Sequence, residues 1–443
     1  MNSPAIPRFR YQIFFLIMLM ALLNYIDRGA ISYASASILP EYGFDKADWG
    51  NVLGFFGYGY ILGALIGGIL ADRFGAKRIW LIAGGTWSIF EIATAFAGDF
   101  GLAFMGGSAM AGFATIRVLF GFAEGPAYSV INKSVANWAT PKERGFVVSV
   151  GLLSTPLGAL LTAPVAVGLQ TLTGDWRSMF VVLGVISLAL LVFFMTRFTN
   201  TPDENPRMSK AELEFLRQER AAQTTASPPG TSATPVWHFF KNKDLLLNAV
   251  GYFSFVYVTF LLLTWTPKYL QDEFHYNLSS LWYMGMIPWI GACFTVLLGG
   301  KISDLLLRRT GNLKVARSWL AATCLLLTTL CFLLVSQAET VCGVIALMTV
   351  ANALNALPNS VYWAVVIDTA PSNRVGAYSG MTHFIANTAS FIAPMLTGYL
   401  TVRYGYSSMF VAAAVATALG MGAMLMVRPG SRHVAPSPLT AAV

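Results

Sequence analysis

The chain has 443 residues, of which 56% are hydrophobic and 11% charged. Soluble proteins carry roughly 25% charged residues, so most of this sequence has no aqueous surface to cover. The formal charge of +8 does not imply a nucleic-acid partner, because Lys and Arg fall between apolar stretches rather than on one face or tail.

A helix that crosses a bilayer needs about 20 apolar residues. Runs of that kind occur near 11–38, 50–70, 78–98, 102–131, 145–170 and 176–197, then near 245–270, 280–303, 313–336, 340–367, 375–401 and 405–427. They predict an all-α membrane protein of twelve spans. The first run is too long for a cleaved leader and contains Asp27 and Arg28, so it reads as a retained helix. The 40 glycines suit helices that pack closely in lipid.

Basic residues set the orientation. With the N-terminus inside, cytoplasmic segments hold 23 of the 29 Lys and Arg, and outer segments hold only Lys46, Arg177, Lys268 and Arg403. Both termini are therefore expected in the cytoplasm. Residues 198–243 form the one long polar connection, with Ser209-Lys-Ala-Glu212 opening a short charged helix as a capping box. From Gln223 to Pro235 the composition is that of a flexible linker. The expected division is an N-terminal bundle at 1–197, a linker at 198–243 and a C-terminal bundle with its tail at 244–443. An internal repeat agrees with it: Gly68-Ile-Leu-Ala-Asp72-Arg73 ends the second span, and Gly300-Lys-Ile-Ser-Asp304 ends the eighth.

The informative charges are those stranded inside apolar runs, since an ionisable group at mid-bilayer costs at least ~2.5 kcal/mol. Asp27 and Arg28 of the first span and Arg117 and Glu124 of the fourth stand out. Adjacent helical positions point about 100° apart, so Asp27 and Arg28 can face different surroundings. Arg117 and Glu124, two turns apart, share a face. Either the four neutralise one another in a structural network, or the carboxylates carry protons and an Arg holds a substrate carboxylate bidentately. Cys293, Cys324, Cys331 and Cys342 have no metal-ligand spacing and read as structural thiols. No nucleophile–base set is present, so no enzyme, metal or cofactor is expected.

Gly68-Ile-Leu-Ala-Asp72-Arg73-Phe-Gly75-Ala-Lys77-Arg78 resembles the loop signature of the major facilitator superfamily. Arg117-Val-Leu-Phe-Gly121-Phe-Ala-Glu124-Gly125-Pro126 resembles its anion:cation symporter branch, as do Asn24-Tyr25-Ile26-Asp27-Arg28 and Trp265-Thr-Pro267-Lys-Tyr269-Leu270. The resemblance covers nearly the whole chain. It implies the major facilitator fold, two pseudo-symmetric six-helix bundles that move a small organic anion by alternating access. It implies that Asp27 and Glu124 carry protons, that Arg28 and Tyr60 contact substrate, and that Arg117 tunes Glu124. Ser360, Tyr362, His383 and Asn387 fall where the sugar-acid carriers of this branch place pocket side chains. Asp72, Arg73 and Asp304 are expected to gate, locking the halves together at the cytoplasmic face.

Two departures from the sugar-acid pattern touch the pocket. Thr155 stands where those carriers have Gln, and His383 where they have Asn. His383 brings a group whose ordinary pKa lies near neutrality, and a histidine merely bonded between helices is an equal reading. The expectation is a monomeric, proton-coupled symporter for a hexonate or hexuronate, without cofactor, in a bacterial inner membrane. An aromatic or simple carboxylate is the alternative substrate class. A non-transporting solute sensor is the alternative of another kind, disfavoured because the linker and the tail after Arg428 are too short for a signalling domain.

Overall fold

A computed structural model describes residues 9–224, 236–371 and 374–430. Among them there are helices and turns and no strand. Among the described residues nine helices are long and apolar enough to cross a membrane: Phe9–Tyr42, Lys46–Phe74, Gly151–Thr173, Trp176–Met195, Lys243–Phe274, Leu278–Thr310, Lys314–Val335, Val341–Thr369 and Ser407–Met426. A tenth is Ala76–Thr94, joined at 76° to Ala97–Phe104. Two further rods, 109–138 and 375–404, each consist of two successive helices. In chain order these give the twelve expected spans, the fourth being 109–138 and the eleventh 375–404. The chain is a multi-pass membrane protein.

Sequence explains the breaks. The fourth span divides at Gly125-Pro126 and the tenth at Leu357-Pro358, since proline cannot continue the helical hydrogen-bond ladder. The two breaks fall at equivalent places in the two halves. The second span starts at a reciprocal cap between Asp45 and Asp48, and the fifth begins with Pro141 after Thr140. In the linker, Lys210–Thr224 is helical and the Ser209 hydroxyl accepts from the Glu212 amide at 3.2 Å. Only half of the predicted capping box forms there. The Glu212 side chain is taken instead by the first span, accepting from the Phe9 amide at 3.0 Å and from Arg10 Nη1 at 2.8 Å. Residues 225–235, most of the predicted flexible stretch, lie outside the described residues.

Arg10 also reaches Glu143, in the first turn of the helix that leads into the fifth span, at 2.8 Å. Partial burial works against the Glu143 charge, but hydrogen bonds from Arg10, Tyr11 and Thr140 outweigh it and hold the carboxyl down to about 2. The linker helix is thus clasped to the first bundle. Of the cysteines, Cys324 is buried, Cys293 and Cys331 are partly buried and Cys342 is exposed.

The halves meet most closely between the second and eleventh spans, and again between the fifth and eighth. These contacts gather at the end of the molecule away from the linker. There Gly50 lies against Pro394 and Gly398, and Lys46 pairs with Asp272 at 3.1 Å. Asp272 is also held by Lys268 and by the Tyr406 hydroxyl, each at 2.7 Å. Ser35 donates to Gln271 at 3.3 Å close by. At the linker end, among the described residues, Asp72 and Asp304 each pair with a basic residue of their own half. Asp72 accepts from Lys133 at 2.8 Å, while Arg317 joins Asp304 at 3.4 Å and Asp368 at 3.2 Å. Arg73 lies over Phe74.

Candidate substrate and proton site

Glycines bring the site together. The second and fourth spans cross so closely that a Cβ at Gly121 would overlap the Phe56 carbonyl, and one at Gly125 would overlap the backbone of Gly63 and Ala64. This crossing sets Glu124 beside Phe56 and Tyr60, on the face that the first span covers with Arg28. Substituting Gly121 by alanine would force the two backbones apart and shift the span that carries Glu124.

Arg28 points to the middle of the protein. Its Nη2 donates to Glu124 Oε2 at 3.0 Å and to Asn24 Oδ1 at 3.0 Å, and its Nε to the same Glu124 oxygen at 3.3 Å. The guanidinium lies 4.5 Å from the Tyr60 ring centre, 4.7 Å from Tyr25, 4.9 Å from Phe56 and 5.7 Å from Phe260 of the second bundle. Arg28 is 2% exposed and Glu124 is not exposed at all. A buried ion pair is maintained only when its geometry is good, and removing one partner costs about 3–5 kcal/mol. The second Glu124 oxygen has no partner.

Asp27 turns the other way, as the 100° offset allows. Its Oδ2 accepts from Ser187 of the sixth span at 2.9 Å, and Oδ1 is unpartnered. Arg117 is fully buried against Phe56 and Phe120, both 5.2 Å away. Phe56 therefore lies against both guanidinium groups. Spacing within the fourth span placed Arg117 and Glu124 on one face; the partner in hydrogen-bond contact with Glu124 is Arg28, 96 positions away in sequence.

His383 comes from the eleventh span into a cage of four rings: Trp363 at 5.9 Å, Tyr252 at 6.2 Å, Tyr128 at 6.3 Å and Tyr60 at 6.4 Å. Its Nδ1 faces the Asn387 amide at 3.1 Å, and Nε2 is buried without a partner. Thr155 shares a 2.9 Å hydrogen bond with the Tyr128 hydroxyl. Tyr362 packs on Tyr252 at 5.4 Å and beside Gly251, within the second bundle. Ser360 lies against Gly299 and Gly300 of the eighth span. Asp72, Arg73 and Asp304 are at the linker end, apart from these groups.

Sequence reading passed over several residues of this region. Glu91 of the third span is fully buried, and the rule that flagged Asp27 applies to it equally. Tyr128 is four residues after Glu124 and shares its face. Trp363, the neighbour of Tyr362, is the ring stacked on His383. Phe260 had no signal beyond being aromatic in an apolar run, while Tyr25 lay within the motif that carries Asp27 and Arg28.

Two bundles joined at one end, breaks repeated in the two halves, and a buried charge cluster that Phe260 of the second bundle helps to cover are the features of a membrane carrier. Residues 17–394 match the model of the Major Facilitator Superfamily, and the chain belongs to that family. It is 30% identical over 417 residues to a hexuronate transporter of Bacillus subtilis strain 168, covering 93% of each chain. It is 29% identical over 401 residues to the probable galactarate/D-glucarate transporter GarP of Escherichia coli K12, covering 88% of each. In fold it superposes with a TM-score of 0.73 on a bacterial homologue of the human lysosomal transporter Spinster, in an inward-facing and unoccupied form. That pair is 14% identical, and the match covers 95% of this chain and 97% of the other. The protein is a transporter and not an enzyme.

Proposed function

We propose that the chain takes up a sugar acid, a hexuronate or hexonate, together with protons. The observation that carries this reading is the sealed Arg28–Glu124 pair. While Glu124 is ionised it occupies the guanidinium. A proton on Glu124 removes the charge that holds Arg28, which then takes the substrate carboxylate bidentately. One proton and one monovalent anion arrive together, so the net charge of the buried group is unchanged and its desolvation cost does not rise. When the site opens to the other side, Glu124 loses its proton, retakes Arg28 and expels the anion. Asp27 is the second proton carrier and Arg117 tunes Glu124.

Tyr60, Thr155, Ser360, Tyr362, His383 and Asn387 are proposed to hold the hydroxylated body of the substrate; the unpartnered Nε2 of His383 is a donor or acceptor for it. The bundles 1–197 and 244–443 rock about the linker 198–243. Lys46–Asp272 closes the outer side in the form described, and Asp72, Arg73 and Asp304 close the cytoplasmic side in the other. The proposed setting is a bacterial inner membrane, with both termini in the cytoplasm and a single chain as the working unit. The relatives' named substrates, sugar acids, support the choice of class.

Thermal stabilisation of the purified protein by hexuronates, hexonates, aldarates and aromatic acids tests the assignment. Stabilisation by a sugar acid is expected. The four rings around His383 favour aromatic acids as the competing class, and stabilisation by those alone would overturn it.

A further inference from the structure

Glu91 has no part in the exchange just described. It is fully buried, and neither carboxylate oxygen has a hydrogen-bond partner. Leaving such a group orphaned in an apolar span is costly, so its surroundings are informative. Trp87 and Ser88, about one turn earlier, are buried on the same side of the third span. That span packs on the fourth and sixth, and a Cβ at Gly184 would come 2.7 Å from the Ser88 carbonyl. The charges that act on Glu91 are Asp27 from the first span and Arg117 and Glu124 from the fourth. The sixth span contributes Ser187, which is already donating to Asp27.

A charge count gives the group its meaning. Asp27, Glu91 and Glu124 are three acids, and Arg28 and Arg117 are two bases, all at most 2% exposed. With every group ionised the cluster carries one uncompensated negative charge away from water, which costs several kcal/mol. One proton balances it. Glu124 is held by Arg28 in this structure, which leaves Asp27 and Glu91 as the places for that proton. Arg117, whose Nε and Nη1 are unpartnered, is the base whose charge acts on Glu91.

We propose that Glu91 is a third proton-carrying carboxylate of the transport cycle, sharing one proton with Asp27 under the charge of Arg117. The inference rests on the proton-coupled reading above. It gives the protein a proton store behind the substrate site, on the side of Asp27 away from the second bundle. The proton held there sets the charge state in which Glu124 exchanges its own.

The test uses full-length protein in liposomes, D-glucuronate as the probe, and the membrane potential clamped at zero. Counterflow of labelled against unlabelled glucuronate requires no net proton movement, while accumulation in a one-unit pH gradient does. Each coupled proton supports about tenfold accumulation per pH unit. Glu91→Gln is expected to keep counterflow and lose about tenfold in accumulation, with the pH profile of uptake displaced from that of wild type. Wild-type accumulation and pH profile in Glu91→Gln would overturn the proposal. Failure of wild type itself to accumulate glucuronate would sink the underlying reading as well. If Glu91→Gln is not obtained folded, Glu91→Asp is expected to displace the pH optimum of uptake, and an unchanged optimum would overturn the proposal.

Discussion

Replacing Glu124 by glutamine keeps the shape of the side chain and removes its charge. In the native protein one carboxylate oxygen accepts two bonds from Arg28, at 3.0 and 3.3 Å. Hydrogen bonds to charged groups contribute about 1.5–3 kcal/mol and neutral ones about 0.5–1.5. The pair is therefore weakened by about 2 kcal/mol, less than the ~3–5 kcal/mol of outright removal. The guanidinium keeps Asn24 and the faces of Tyr25, Phe56 and Tyr60, which hold a cation at about 0.5–2 kcal/mol. A substrate carboxylate now competes with a neutral amide instead of a carboxylate. Two kcal/mol corresponds to roughly 30-fold in Kd. Titration calorimetry with glucuronate at pH 8 should show that gain in Glu124→Gln, and wild type should approach it as the pH falls and Glu124 is protonated. Binding by the variant that is equal to or weaker than wild type at pH 8 would refute the competition between Glu124 and substrate for Arg28.

Other consequences follow from particular contacts. Arg28→Lys keeps the charge but loses the fork that meets a carboxylate twice, and a drop in glucuronate affinity of at least about tenfold, read by calorimetry, is expected. Asp272→Asn weakens the contact between Lys46 and the second bundle, a partly exposed pair contributing about 1 kcal/mol or less. Spin labels at Phe44 and Asn277 should report a larger population of separated outer ends, and an unchanged distance distribution would count against the contact's role. At the linker end, Glu143 is depressed from 4.5 to about 2, so its clasp contributes fully above about 4.5 and is lost as the pH falls towards 2. Melting curves between pH 6 and pH 3 should show that loss in wild type and a smaller one in Glu143→Gln. His383→Asn should change the ratio of kcat/KM for uronate and aldonate by about tenfold, since pocket hydrogen bonds discriminate strongly, and leave the response to a pH gradient in place.

The twelve spans were legible because apolar length is a local property, and even the broken fourth and eleventh spans announce themselves as long runs. The opposed directions of Asp27 and Arg28 were legible as well, since helical geometry alone fixes their offset. What periodicity could not supply was the pairing of Arg28 with Glu124. That contact lies beside a crossing of the second and fourth spans that Gly59, Gly63, Gly121 and Gly125 together permit, and nothing in the spacing of either run specifies which helix the first span will cover. Glu91 shows the opposite case: its signal was present in the sequence and went unread. In the second half the register along the tenth span decides which ring meets His383. A shift of one position turns a helix by 100°, enough to exchange Tyr362 for Trp363 as the ring on His383.

The central claim is that one sealed ion pair couples the anion to protons. It is tested most directly by liposomes containing wild-type protein and a luminal pH indicator, with the membrane potential clamped. Adding glucuronate outside at equal pH should acidify the lumen as the anion enters. An acid-outside gradient should then raise internal glucuronate above the external concentration. Glucuronate entry that only equilibrates, with no proton movement in either condition, would contradict the account.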